Sequence, residues 1–150
     1  MGASLFAVRI AKPQDGPAIT DLETQCVQES EGFRGSAQLL AAVPLIGEGI
    51  DKLLSTVNHA VFIIESSGEV CGFAQLEISP LVATVRRIYV TLKARDLGAG
   101  ATLIEALRAH ARSQGCTQID AYALPGDRLT KNLFERAGMK ARLLIASSDL

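Results

Sequence analysis

The chain has 150 residues, 48% of them apolar, and a formal net charge of −1. That length suits one domain with a full core, and the apolar content excludes a disordered chain. The near-neutral charge, with no basic run or basic–aromatic interleaving, argues against nucleic acid, and no apolar stretch is long enough to cross a bilayer.

Met1-Gly2-Ala3-Ser4 lacks the basic segment and long apolar block of a secretory leader. Leu5 to Ile10 alternates and reads as a first strand. Pro13 and Asp15 suit the start of a helix. Its apolar face is Ala18, Ile19, Leu22 and Cys26, it runs to about Ser30, and Gly32-Phe33-Arg34-Gly35 breaks it. Ser36 to about Val57 reads as one helical stretch interrupted by Pro44, Gly47 and Gly49. Ala60 to Glu65 and Val70 to Ile78 form a hairpin about Ser66-Ser67-Gly68-Glu69. Pro80 ends it, and Val82 to Thr91 is the next strand, paired with the last. After a polar stretch, a helix runs from Gly98 to about Gln114, with Gly115 as its stop. Thr117 to Leu124 is a strand and Arg128 to Ala137 a helix stopped by Gly138. Arg142 to Ala146 reads as a final strand. Hairpins followed by strand–helix–strand–helix–strand predict a mixed α/β (α+β) sheet, mostly antiparallel, with helices on both faces.

Cys26, Cys71 and Cys116 are widely spaced, form no C-x-x-C pair, and read as small apolar residues in a reducing cytoplasm. His59 and His110 lie far apart without metal-ligand spacing. No metal site is expected.

The segment Arg95-Asp96-Leu97-Gly98-Ala99-Gly100 carries the most information. It joins the strand Val85-Arg86-Arg87-Ile88-Tyr89-Val90 to a helix whose apolar residues Leu103, Ile104, Leu107 and Ala111 recur at helical spacing. Gly98 permits backbone angles closed to other residues, and Gly100 leaves room for a close approach. The first turn of the helix offers unpaired N–H groups and the positive end of its dipole, which suits a phosphate or pyrophosphate. Arg95 adds a potential charged donor. A tight packing turn explains the same glycines. The dinucleotide fingerprint fails at Leu103, and no P-loop is present.

The order Val90, polar stretch, Arg95-x-x-Gly98-x-Gly100 and helix resembles the acetyl-CoA motif of the GNAT superfamily of N-acetyltransferases, Gln/Arg-x-x-Gly-x-Gly/Ala. Leu133-Phe134-Glu135-Arg136-Ala137-Gly138-Met139 resembles that family's Phe-Tyr-Glu-Lys/Arg-x-Gly-Phe. The resemblance runs from about Val61 to Met139. It implies an opening between the strands Val85–Thr91 and Thr117–Leu124. Backbone groups of Ile88, Tyr89 and Val90 would meet the pantetheine arm of acetyl-CoA there. Backbone N–H groups of Arg95, Asp96, Leu97, Gly98, Ala99 and Gly100 would hold its pyrophosphate, with the Asp96 side chain in solvent. Phe134 would pack on the arm.

The resemblance also implies direct attack of an amine on the acetyl thioester, which needs a base and a proton donor. Two positions depart from the family. Phe134 stands where a tyrosine often donates the proton, and Arg86 stands where a glutamate often acts as base; arginine stays protonated. Glu77 is the substitute base, acting through water, and Tyr122 the substitute acid. Tyr89 is a second phenol near the site. A solvated strand carboxylate and structural tyrosines explain these residues equally, and positioning alone can supply rate. Asp127 reads as a turn or helix N-cap.

The expectation is therefore a single domain over residues 1–150: a cytoplasmic acyl-CoA-dependent N-acetyltransferase acting on a primary amine. The acceptor is a small-molecule amine or a peptide amine; no nucleic acid or membrane is involved, and a homodimer is possible. The alternative is a catalytically weak acyl-CoA-binding module with the same fold, which Phe134 and Arg86 favour. A phosphate-ligand domain unrelated to acetyl transfer is the third reading. The acceptor itself and the length of the acyl group are not encoded in any motif.

Overall fold

The computed structural model describes residues 5–150; the reading of Met1 to Ser4 lies outside them. Five strands form one sheet in chain order: β1 (Ala7–Ile10), β2 (His59–Ser66), β3 (Glu69–Ser79), β4 (Val82–Val90) and β5 (Gln118–Ala121). β1 to β4 pair antiparallel and β5 joins β4 in parallel. Six helices accompany the sheet: α1 (Gly16–Ser30), α2 (Ser36–Ala42), α3 (Ile50–Leu54), α4 (Leu92–Arg95), α5 (Ala99–Ser113) and α6 (Arg128–Arg136). The mixed, mostly antiparallel sheet is the one the patterning predicts.

Both faces of the sheet are covered, so β2 and β3 are apolar on both sides. On one face Ile64, Ala74, Leu76 and Val85 pack under Leu103, Leu107 and Ala111 of α5. On the other, Val61, Ile63, Phe73 and Tyr89 pack under Ile19 and Leu22 of α1 with Ile46 and Ile50.

The α1 face is fastened by two carboxylates. Asp15 is 8% exposed. It takes a bidentate pair from Arg9 at 2.7 and 2.8 Å and the Lys12 N–H at 2.7 Å. The Arg9 guanidinium holds the Asp15 carboxyl below its ordinary value. Its stabilisation is therefore present above that ordinary value and is lost as pH falls through the lower folded one. Asp15→Asn is expected to lower the melting temperature at pH 7 and to flatten its fall as the pH drops below the ordinary carboxyl range, read by calorimetry across a pH series.

Glu23 is 1% exposed. It accepts the N–H groups of Ile46 and Gly47, both at 2.8 Å, and so pins the segment after α2 onto α1. Gly47 sits so close to α1 that an added Cβ would lie 2.1 Å from the Thr20 hydroxyl and 2.8 Å from the Thr20 N. Burial pushes the Glu23 carboxyl up against those backbone donors. Arg87, 3.8 Å away, is the nearby cation.

Three predicted elements differ from the structure. The strand expected over Thr117–Leu124 is only Gln118–Ala121. The polar stretch after β4 contains the single helical turn α4. No strand forms over Arg142–Ala146; residues 139–150 lack regular structure, and Leu143, Leu144 and Ile145 are 82 to 89% exposed. β5 offers a four-residue edge, and Leu143-Leu144-Ile145 has no alternation to choose a face, so neither condition for a stable added strand is met.

Candidate active site

The site begins with one surplus residue. Across β3 and β4, Gln75 pairs with Arg87 and Leu76 with Val85, so Arg86 has no partner. A bulge of this kind bends its strand and re-aims the side chains around it. β5 follows β4 as far as Val85, opposite Ala121, and then leaves it. A cavity of about 280 Å³ opens where the strands part. Arg86, Arg87 and Ile88 form one wall and Tyr122, Ala123 and Leu124 face them, with Cys26, Val27 and Ser30 of α1, Glu31 after it, and Ser36, Ala37, Leu39 and Leu40 of α2 closing the third side.

The bulge also places two consecutive arginines on one face, where simple alternation would separate them. Arg86 donates to the Ala42 carbonyl at 2.9 Å and Arg87 to the Val43 carbonyl at 2.8 Å. Both cations thus meet the carbonyl end of α2, where the helix dipole is negative. Arg86 also holds Glu77 in an ion pair.

Along β4, Thr91 N–H bonds to Cys71 of β3, and the Tyr89 carbonyl also faces β3 at Gly72. Strand alternation turns the N–H and C=O of Ile88 and Val90 to the opposite edge, which β5 has abandoned. One of these groups is taken: Arg95 Nε donates to the Val90 carbonyl at 2.8 Å. Beyond Val90, Gly98 has φ +88 and turns the chain into α5. The first helical bond is Thr102 N–H to Gly98 O. Among the described residues, the N–H groups of Ala99, Gly100 and Ala101 have no acceptor. Three donors at a helix N-terminus, in line with an open strand edge, form an anion cradle with an amide-pairing groove leading to it.

Individual residues fall as follows. Asp96 and Leu97 are exposed and make no side-chain bond in the cradle. Gly100 is buried, and a Cβ there would meet the Leu133 side chain of α6 at 2.8 Å. Its missing side chain therefore serves α5–α6 packing, not the ligand approach suggested by the motif. Phe134 is 7% exposed and lies outside the cavity wall. Tyr89 is 4% exposed and donates to Glu29 at 2.7 Å; burial and that bond push its phenol up. The Tyr89 proton is thus committed to Glu29. Glu77 is committed to Arg86 and does not line the cavity, so the structure does not bring it together with Tyr122.

Tyr122 is 48% exposed on the cavity wall, and its hydroxyl has no partner among the described residues. Asp127, also on the wall, caps α6 through the Thr130 N–H at 3.1 Å and hydroxyl at 2.7 Å. Glu31, the residue that follows α1, is the wall carboxylate with no bond among the described residues. No motif marks Glu31; only folding α1 against the parted strands brings it there. Cys26 lines the same wall, and burial pushes its thiol up, which keeps it protonated.

Comparison with known proteins agrees with this geometry. The family model described as "Acetyltransferase (GNAT) family" matches residues 19–139. An uncharacterized N-acetyltransferase, YhfO of Bacillus subtilis (strain 168), is 28% identical over 139 residues, covering 87% of each chain. A tetramutant of the BH1408 protein from Bacillus halodurans superimposes with a TM-score of 0.79 at 14% identity, over 96% of this chain and 99% of that one. AAC(6')-Iy, solved with the bisubstrate analogue CoA-S-monomethyl-acetylneamine, superimposes with a TM-score of 0.72 at 20% identity, over 98% of this chain and 100% of that one. With a family model spanning most of its length, the chain belongs to the acetyltransferase (GNAT) family, as its two motifs led us to expect.

Proposed function

We propose that residues 1–150 form one catalytic domain that transfers an acetyl group from acetyl-CoA to a primary amine by direct attack. The observation that carries this reading is the line of groups along β4: the cavity at Arg86–Ile88, the edge at Ile88 and Val90 that β5 leaves and on which only the Val90 carbonyl is taken, by Arg95, and the free N–H groups of Ala99, Gly100 and Ala101. Acetyl-CoA supplies an activated thioester when bound.

The chain's own residues then have distinct tasks. The three N–H groups bind the pyrophosphate with the help of the α5 dipole. The Ile88 and Val90 backbone groups hold the pantetheine amides as an added strand would. Arg95 contributes its backbone to this turn, and its side chain ties the turn to Val90 and Glu29 through Nε and Nη2. Glu31 attracts a cationic amine to the cavity and takes its proton through water. Tyr122 returns a proton to the leaving sulfur. Glu77, neutralised by Arg86, takes no part in this scheme.

The test is calorimetric titration of the purified protein with acetyl-CoA and CoA, with ATP for comparison. Both CoA forms are expected to bind and ATP to bind weakly; no CoA binding overturns the reading. Ala101 is exposed in the first turn of α5, so Ala101→Glu places a carboxylate at the cradle without disturbing packing. It is expected to weaken CoA binding about tenfold with the melting temperature unchanged, the size of one added charge at a half-solvated helix end.

A second reading keeps the binding and removes the turnover: an acyl-CoA-binding module of the same fold. The pairing of Glu77 with Arg86 favours it. Activity on any amine excludes it. In the first reading the acceptor is a small-molecule or peptide amine.

A further inference from the structure

Glu29, near the end of α1, joins three parts of the molecule. Its Oε1 accepts the Tyr89 hydroxyl at 2.7 Å, and its Oε2 accepts Arg95 Nη2 at 2.6 Å. The same guanidinium bonds the Val90 carbonyl through Nε and lies 5.1 Å from the centre of the Tyr89 ring. A cation–π contact and two charge-assisted hydrogen bonds therefore fix one side chain from three directions. That side chain belongs to the last residue of α4, just ahead of the turn that leads into the cradle N–H groups of α5.

We propose that Glu29 is a positioning residue for the cofactor site: it locks Arg95, and through it the turn before α5, against the end of β4. The inference rests on the cofactor reading above. Arg95 commits its Nε and Nη2 to these partners, so the contact sets the direction of the guanidinium and of the backbone that runs on into the cradle. Without Glu29 the guanidinium keeps one carbonyl partner and gains freedom to rotate. The turn then has to be ordered when the ligand binds, and binding weakens by that ordering cost.

The Glu29 side chain is 41% exposed, so its removal leaves the core intact. Glu29→Ala is expected to raise the dissociation constant for CoA roughly tenfold, with amide exchange accelerated across residues 96–101 and little change in melting temperature. Glu29→Gln keeps an oxygen for one of its two donors and is expected to fall between Glu29→Ala and the parent. The chain has two tyrosines, so in a Tyr122→Phe background the ultraviolet titration reports Tyr89 alone. Glu29→Ala is expected to move that ionisation to lower pH, because the carboxylate that opposes it is gone.

Calorimetry with CoA decides the outcome. If the parent protein binds CoA and Glu29→Ala binds it equally well, the positioning role is overturned. If Glu29→Ala weakens binding and Glu29→Gln partly restores it, the role stands. If the parent itself does not bind CoA, the cofactor reading fails; unchanged exchange at residues 96–101 in Glu29→Ala then removes the positioning role as well, and faster exchange retains it for the turn.

Discussion

Tyr122→Phe is expected to lower kcat about a hundredfold while leaving the KM for acetyl-CoA unchanged, the scale of losing one proton donor in a group transfer. The argument is one of elimination among named groups. Phe134 has no hydroxyl, and it is buried outside the cavity. Tyr89 has one, but donates it to Glu29 on the α1 side of the sheet. Tyr122 alone among the described phenols lines the cavity with its hydroxyl uncommitted. The substitution removes one oxygen from a half-exposed ring, so the fold tolerates it. Steady-state rates on an amine substrate read the effect. A variant that keeps the full rate eliminates Tyr122 as the acid and leaves catalysis to positioning.

Glu23→Ala is expected to cost about 3–5 kcal/mol of stability and to lower the melting temperature by about 10 °C. Two backbone N–H groups lose their only acceptor, and Arg87, whose side chain is 8% exposed, loses the nearby carboxylate. A buried donor left without a partner costs its full desolvation, which exceeds the net worth of the bond it made. Glu23→Gln retains an oxygen for one of the donors and is expected to lose about half as much. Thermal unfolding of the three proteins reads the series. A loss below about 1 kcal/mol for Glu23→Ala means that water replaces the carboxylate and the segment after α2 is not anchored there.

Much of the fold was legible because it rests on local pattern. The apolar runs of β2 and β3, the helical spacing in α5 and the glycine that opens it each announce their element without reference to distant residues. The left-handed turn at Gly98 before α5 was legible for the same reason. What was hidden depends on pairing. The bulge at Arg86 follows from the register between β3 and β4, so a strict two-residue period set Arg86 and Arg87 on opposite faces. Glu77 kept its place as a candidate base until Arg86 proved to be its partner. The missing side chain of Gly100 read as room for a ligand because Leu133, which fills that space, is more than thirty positions away in sequence. Glu29, near the end of α1, and Glu31, just after it, carry no chemical motif, and only the packing of α1 across β4 gives them their surroundings. The last strand failed for the opposite reason: Leu143-Leu144-Ile145 has the composition of a strand, but composition provides no edge to join.

The bulge makes the opening of the cleft a matter of parity. One unpaired residue in β4 separates the half of the strand that β5 follows from the half that it leaves. Substitution changes what the walls are made of but not the count of residues between Val85 and Arg87. The cavity walls can therefore change their chemistry position by position while the mouth stays open, whereas a change of one residue in length alters the architecture at once. Selectivity and cleft geometry are thus inherited through different kinds of mutation: the first drifts with point changes, and the second is held against them.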